Sequence, residues 1–123
     1  ARTGETATFS LCAQQWNFLA LADAVRALRL LGEAEALRAD GNPVFNVGSL
    51  DTRALRRFVE EIFETAGKPA SLARFVPRET GPEGTPYLAP DIAKLLRNID
   101  WTPETGFRAG VRDLLSDTAN GEN

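Results

Sequence analysis

The sequence predicts a mixed α/β fold of about four helices and several short strands, and three observations predict it. An apolar stripe at helical spacing runs through residues 53–66, where Leu55, Phe58, Val59, Ile62, Phe63 and Ala66 follow one another at steps of three or one. Apolar runs of strand length, Trp16 to Leu21 and Val44 to Val47, stand apart from that stripe. Turn signals separate the elements: Asp40-Gly41-Asn42-Pro43, and the Pro- and Gly-rich loop from Pro77 to Pro86. The strands are too few and too scattered to build a doubly wound sheet by themselves, so another part of the molecule is expected to complete one.

Taken in order, residues 1–7 are polar and read as an irregular lead-in, and Thr8 to Leu11 as a short strand. After the Trp16–Leu21 run, Asp23 stands where a helix N-cap is wanted, and Ala24, Val25, Leu28 and Leu31 follow at helical spacing. Gly32 interrupts, and Glu33 to Ala39 reads as a further helical turn or two. Val44 to Val47 reads as a buried strand closed by Gly48-Ser49. Asp51 or Thr52 can cap the helix of residues 53–66, whose other face carries Arg56, Arg57, Glu60, Glu61 and Glu64, and Gly67 with Pro69 ends it. Ser71 to Val76 alternates as a strand does, and Tyr87 to Ala89 is extended because Pro90 disfavours helix before it. Asp91 opens a helix with Ile92, Leu95 and Leu96 inward, and Trp101-Thr102-Pro103 breaks it. Thr105 can cap a last helix carrying Phe107, Val111, Leu114 and Leu115. Residues 1–115 therefore read as one lobe, and 116–123 as a polar tail expected to be disordered.

Composition narrows the chemistry. The 123 residues are 43% hydrophobic and 25% charged, a globular balance for a single domain. With no His, no Ser-His-Asp triad and no His metal ligand can form within the chain. Cys12 is the only Cys, so there is no internal disulfide and no Cys cluster for zinc, and a lone thiol fits the cytoplasm. A net charge of −3 gives no electrostatic footprint for nucleic acid. No apolar stretch reaches the ~18 residues of a membrane span, and the N-terminus lacks the pattern of a signal peptide. The absence of Met implies a processed chain or a piece of something longer.

Four segments carry a resemblance. Gln14-Gln15-Trp16-Asn17-Phe18-Leu19 with Asp23, Ala24 and Ala27-Leu28 resembles the "Q-x-W-D-F-L-Y-V-x-D…A" segment of the extended short-chain dehydrogenase/reductases. These are the NAD(P)-dependent nucleotide-sugar epimerases, dehydratases and 4-ketoreductases. Phe45-Asn46-Val47-Gly48-Ser49 looks like the family's "(Y/F)-N-V-G-S" strand end, and Tyr87-Leu88-Ala89-Pro90-Asp91-Ile92-Ala93-Lys94-Leu95 resembles "Y-L-x-x-D-I-S-K-L". Trp101-Thr102-Pro103 with Phe107 and Gly110 resembles "G-W-x-P-x-x-x-F-x-x-G-(I/L)". The segments occur in the family's order and cover residues 10 to 115. The family's Gly-rich dinucleotide turn is missing, and so is its Tyr-x-x-x-Lys pair, since the sole Tyr, Tyr87, has Asp91 four positions on. The resemblance therefore implies the C-terminal, substrate-binding portion of such an enzyme. It also implies a Rossmann domain elsewhere holding NAD or NADP, a cytoplasmic setting and a homodimer. Many relatives carry Arg, a diphosphate ligand, where this chain has Trp16; the Trp version leans toward deoxysugar pathways. The family's Asp after the Trp is Asn17 here, and its "Y-V-x-D" is Ala20-Leu21-Ala22-Asp23.

A nucleotide-diphosphate sugar asks for Arg or backbone N–H groups at its phosphates and neutral polar groups at its hydroxyls. Arg78 lies in the Pro/Gly-rich loop, where ligand contacts are common, and is equally an exposed loop arginine. Arg53 falls in the first turn of the 53–66 helix, where anions are favoured, and is equally a solvated arginine. Gln14 can pair with a sugar or a base edge, or make a structural hydrogen bond. Trp16 offers a flat face to a ligand but also begins an apolar strand, which favours the core. Tyr87 completes the substrate-binding set as the resemblance implies it. No catalytic or metal-binding residue is expected in this chain. The alternative is a non-catalytic interaction module whose amphipathic helix 53–66 serves a partner.

Overall fold

The computed structural model describes residues 3–34, 41, 44–78 and 87–121. Two strand pairs organise it. Strand β1 (Ala7–Phe9) runs parallel to β4 (Ala73–Phe75), with Phe9 opposite Phe75. Strand β2 (Gln15–Asn17) runs antiparallel to β3 (Thr52–Ala54), with Trp16 opposite Arg53. The helices are α1 (Leu21–Glu33), α2 (Leu55–Thr65), α3 (Ala93–Asn98) and α4 (Phe107–Asn120), with a short 3-10 turn at Ala70–Leu72 before β4. The mixed α/β class, with four helices among the described residues, is thus the observed one.

Apolar side chains gather in two clusters. Ala27 of α1, Ile92 and Leu95 of the α3 region, Ile99 and Trp101 form the first, with Leu30, Leu31, Phe45 and Val47 packed against it. Val59 and Phe63 of α2 and Ala73 of β4 form the second, joined by Phe9 and Phe75. Phe58, 1% exposed, sits in an aromatic group with Phe18 at 5.0 Å and Phe107 at 4.7 Å between ring centres. Phe58, Val59 and Phe63 all point inward and Leu55, Ile62 and Ala66 are half-buried, so the stripe read from residues 53–66 faces the core.

Boundaries moved where tertiary contacts outweighed local preference. Arg53 does not begin a helix: Thr52–Ala54 is drawn into a ladder with β2, and α2 starts only at Leu55. Asp23 is not an N-cap. Ala20 holds that place without a side-chain cap, and Asp23 lies buried within the first turn of α1. Gly106, not Thr105, precedes α4, and that helix continues to Asn120, through residues expected to be disordered. The buried strand expected at 44–47 does not form: the stretch pairs with no strand among the described residues, Val44 and Asn46 are exposed, and Phe45 and Val47 are only half-buried. Lys94 donates to the Val44 carbonyl at 2.7 Å. Gly32 does not interrupt α1: the helix runs through it, its backbone staying helical, and ends at Glu33. Of the further turns expected at 33–39, residues 35–39 lie outside the described residues, as do 40, 42–43 and the 77–86 loop beyond Arg78.

Gly48 is required by close approach. A Cβ built there would stand 2.5 Å from Cγ of Pro90 and 3.1 Å from Oδ1 of Asn17. Cys12 is buried and left-handed at φ 50°, an unusual conformation for a residue with a side chain.

Candidate functional site

Strand β2 is the centre of the candidate site. On one side it pairs with β3; on the other, Gln15 bridges to Tyr87 and accepts a hydrogen bond from the Leu88 N–H at 2.9 Å. Alternation along a strand then sets the faces. Trp16 and its cross-strand partner Arg53 share one face, and Gln14 lies in the bend just before the strand, its carbonyl accepting the Leu55 N–H at 2.8 Å. Gln14, Trp16, Arg53 and Tyr87, separated by up to 73 positions in the chain, are thus carried by three adjoining segments. Arg78 stands apart and exposed, just past β4 on the other strand pair.

Arg53 is the most tightly held of the five. Its guanidinium donates to both carboxylate oxygens of Asp51 at 2.9 Å and to Glu61 at 2.6 Å, and it lies over the Phe58 ring at 4.3 Å. Burial works against the charge, but the hydrogen bonds from Arg53 to Glu61 and Asp51 outweigh it and raise the pKa. Burial would likewise raise the Glu61 pKa, yet Arg53 and Arg108 together hold it below the usual range. Arg108 continues the chain of charges to Glu64 at 3.2 Å. The fork that suits a diphosphate is therefore filled by carboxylates, and its direct effect is to tie β3 to α2 and α4.

The other members are less engaged. Trp16 is half-buried and Tyr87 is 65% exposed. Oε1 of Gln14 is buried and accepts no hydrogen bond from the described residues. Two hollows open nearby. One of about 400 Å³ is lined by Arg53, Arg108 and Arg112 with Asp51 and Glu61. The other, about 780 Å³, is mainly apolar, lies between the start of α1, residues 49–51 and α4, and touches none of the five residues.

Two residues that organise this region escaped sequence reasoning. Asn17 donates to the carbonyls of Ser49 (3.0 Å) and Asp51 (3.3 Å) and to Oγ1 of Thr52 (3.0 Å), and accepts from the Ser49 N–H (2.9 Å). A carboxylate at this position would keep the bonds to the Ser49 N–H and the Thr52 hydroxyl, which can donate, and lose those to the Ser49 and Asp51 carbonyls. The Asp23 carboxylate, meanwhile, accepts the N–H groups of Glu104 and Thr105, which fixes the approach to α4. The available signal was a polar residue set inside an apolar run.

No protein-family model matches the chain, and no curated protein does. Solved structures do match. The chain is similar to RMD from Pseudomonas aeruginosa complexed with NADPH, at TM-score 0.73 and 18% identity, over 96% of this chain and 37% of that one. It is similar to dTDP-glucose 4,6-dehydratase from Bacillus anthracis in complex with NAD, at 0.73 and 19%, over 98% and 36%. It is also similar to MoeE5 in complex with UDP-glucuronic acid and NAD, at 0.72 and 20%, over 97% and 38%. The chain has the fold of the C-terminal portion of an extended short-chain dehydrogenase/reductase. This lobe spans little more than a third of the length of those neighbours, which were solved with NADPH or NAD.

Among the described residues, none fit a dinucleotide of the lobe's own. That ligand needs a strand leading through closely spaced glycines into a helix N-terminus. Helices α1, α2 and α3 follow Ala20, Ala54 and Ile92, and α4, which follows Gly106, has no strand leading into it. Among the described residues no group of His, Cys, Asp and Glu is placed to hold a metal ion, and no helix is long and apolar enough to cross a membrane.

Proposed function

We propose that this lobe is the substrate-binding portion of a cytoplasmic, NAD(P)-dependent nucleotide-sugar epimerase, dehydratase or 4-ketoreductase. The observation that supports this most directly is the gathering of Gln14, Trp16, Arg53 and Tyr87 around β2, within a fold shared with such enzymes. In this reading Trp16 and Tyr87 offer flat faces to the base or sugar, and Gln14 turns its amide group toward a sugar or base edge. Arg78 meets the diphosphate, and Arg53 shapes the site from behind through Asp51 and Glu61. NAD or NADP, held by a separate Rossmann domain, supplies the hydride chemistry. The lobe on its own is expected to turn over no nucleotide sugar, because it carries no Tyr-x-x-x-Lys pair.

The two tryptophans provide the test. Trp16 is half-buried in the candidate site, whereas Trp101 is 3% exposed and donates its indole N–H to the Asp23 carbonyl. Titrating UDP-glucuronic acid or dTDP-glucose into the nitrogen-labelled chain should move the Trp16 indole resonance and leave that of Trp101 in place. No shift at millimolar ligand, or a shift confined to Trp101, would remove the site from β2.

A further inference from the structure

The larger hollow, about 780 Å³, is a different place from the candidate site, since none of Gln14, Trp16, Arg53, Arg78 and Tyr87 lines it. Half-buried Phe107 and Val111 of α4 line it together with Leu50 and Leu114, which are 70% and 69% exposed. A small ligand would settle among the half-buried side chains and leave both leucines in water. The apolar face of a helix laid into the hollow covers them as well.

The charges around this hollow have one sign. Asp51, Asp113 and Asp117 line it, and no Lys or Arg does. Asp51 is already matched by Arg53. Asp113 and Asp117 are exposed, and neither side chain makes a hydrogen bond or ion pair among the described residues. They stand at i and i+4 of α4, where like charges repel, and Asp117 lies in the last turn, where the helix dipole disfavours a carboxylate. Arg108 and Arg112, also at i and i+4, line the smaller hollow instead. Helix α4 thus segregates its charges, and the side that carries Leu114 to the larger hollow is acidic only.

We propose that this hollow docks an amphipathic helix of another protein. That helix sets apolar side chains against Leu50, Val111 and Leu114, and a pair of Lys or Arg, one turn apart, against Asp113 and Asp117. A second copy of the chain does not suit the surface, because an isologous contact would set the same carboxylates against themselves.

The probe is a synthetic helical peptide of about 14 residues, with Leu on one face and flanking Lys at i and i+4. Titrated into the nitrogen-labelled chain, it should move the amide resonances of Leu50, Val111 and Leu114 and leave those of buried Val59 and Phe63 in place. A peptide of the same composition in scrambled order should bind at least about tenfold more weakly. Asp113→Asn combined with Asp117→Asn should weaken binding about tenfold and remove most of its sensitivity to salt between ~0.05 M and ~0.5 M. The urea midpoint of that variant should stay or rise, because the substitutions relieve a like-charge pair. Leu114→Ser should weaken binding with the carboxylates intact. Equal binding of the two peptides, shifts confined to another part of the chain, or undiminished binding by the double variant would overturn the proposal. So would a fall of ~1 M or more in that variant's urea midpoint, which would mean that the carboxylates serve the fold. Octylamine that moves the same resonances and displaces the peptide would give the hollow to a small organic cation instead. A dimer in sedimentation that Leu114→Ser dissociates would give it to a second copy, and either result sinks the proposal.

Discussion

Replacing Asp23 by Asn probes the contact that joins the two ends of the lobe. The carboxylate is 3% exposed and accepts hydrogen bonds from the Thr105 N–H at 2.9 Å, from the Glu104 N–H at 3.1 Å to each oxygen, and from Nη2 of Arg26 at 2.9 Å. Asn has the same shape but one acceptor oxygen, and its NH2 group would point at donors. Losing one charge-assisted bond and leaving one buried N–H unmatched should together cost about 3–5 kcal/mol. Total stability for a domain of this size is roughly 5–15 kcal/mol, so the change is large. Burial pushes the Asp23 pKa up, but the Thr105 and Glu104 N–H groups and Arg26 more than reverse it, and the folded-state value lies below the ordinary 3.8. This contribution is therefore complete above the unfolded value of 3.8 and is lost as pH falls through the lower folded value. Urea titrations read by tryptophan fluorescence should separate wild type from Asp23→Asn fully at pH 7 and progressively less below about pH 4. Glu60 and Glu61, also held low by arginines, leave part of the acid sensitivity in both proteins. A loss under ~1 kcal/mol at pH 7, or a gap that does not narrow in acid, would refute the reasoning.

Other outcomes follow from the same packing. Phe58→Ala should destabilise the chain by about 3–5 kcal/mol in urea unfolding, since it empties a fully buried site between Phe18 and Phe107; under ~1 kcal/mol would mean the stripe of α2 is not core. Asn17→Asp should cost at least ~2 kcal/mol, because a carboxylate would face the Ser49 and Asp51 carbonyls, and a neutral result would show that those bonds contribute nothing net. In a complete enzyme containing this lobe, Arg78→Ala should raise KM for the nucleotide sugar about ten- to a hundredfold with a smaller effect on kcat, as expected for a phosphate contact remote from the reacting carbon. An unchanged KM would return Arg78 to the status of a surface arginine.

The sequence by itself determined the fold class and the position of α2, because a stripe such as Phe58, Val59 and Phe63 has only one way to be buried together. It also determined what the chain lacks: a dinucleotide turn, a Tyr-x-x-x-Lys pair and any histidine. All five candidate site residues were named from the sequence, but nothing in it made four of them neighbours. Trp16 meets Arg53, and Gln15 meets Tyr87, only through ladders that close over long stretches of chain, and local periodicity carries no record of such pairings. Tertiary structure alone decided the states of the charged and polar groups. Asp23 read as a helix cap because Asp favours that place locally, yet burial beside the Glu104 and Thr105 N–H groups gave it a larger return than an exposed cap would. Arg53 read as an anion ligand at a helix N-terminus, yet its strand places it between Asp51 and Glu61 over the Phe58 ring, where its charge is already matched. Apolar patterning is written in spacing, whereas the partner of a charge is fixed by whatever the fold brings within about 3 Å of it.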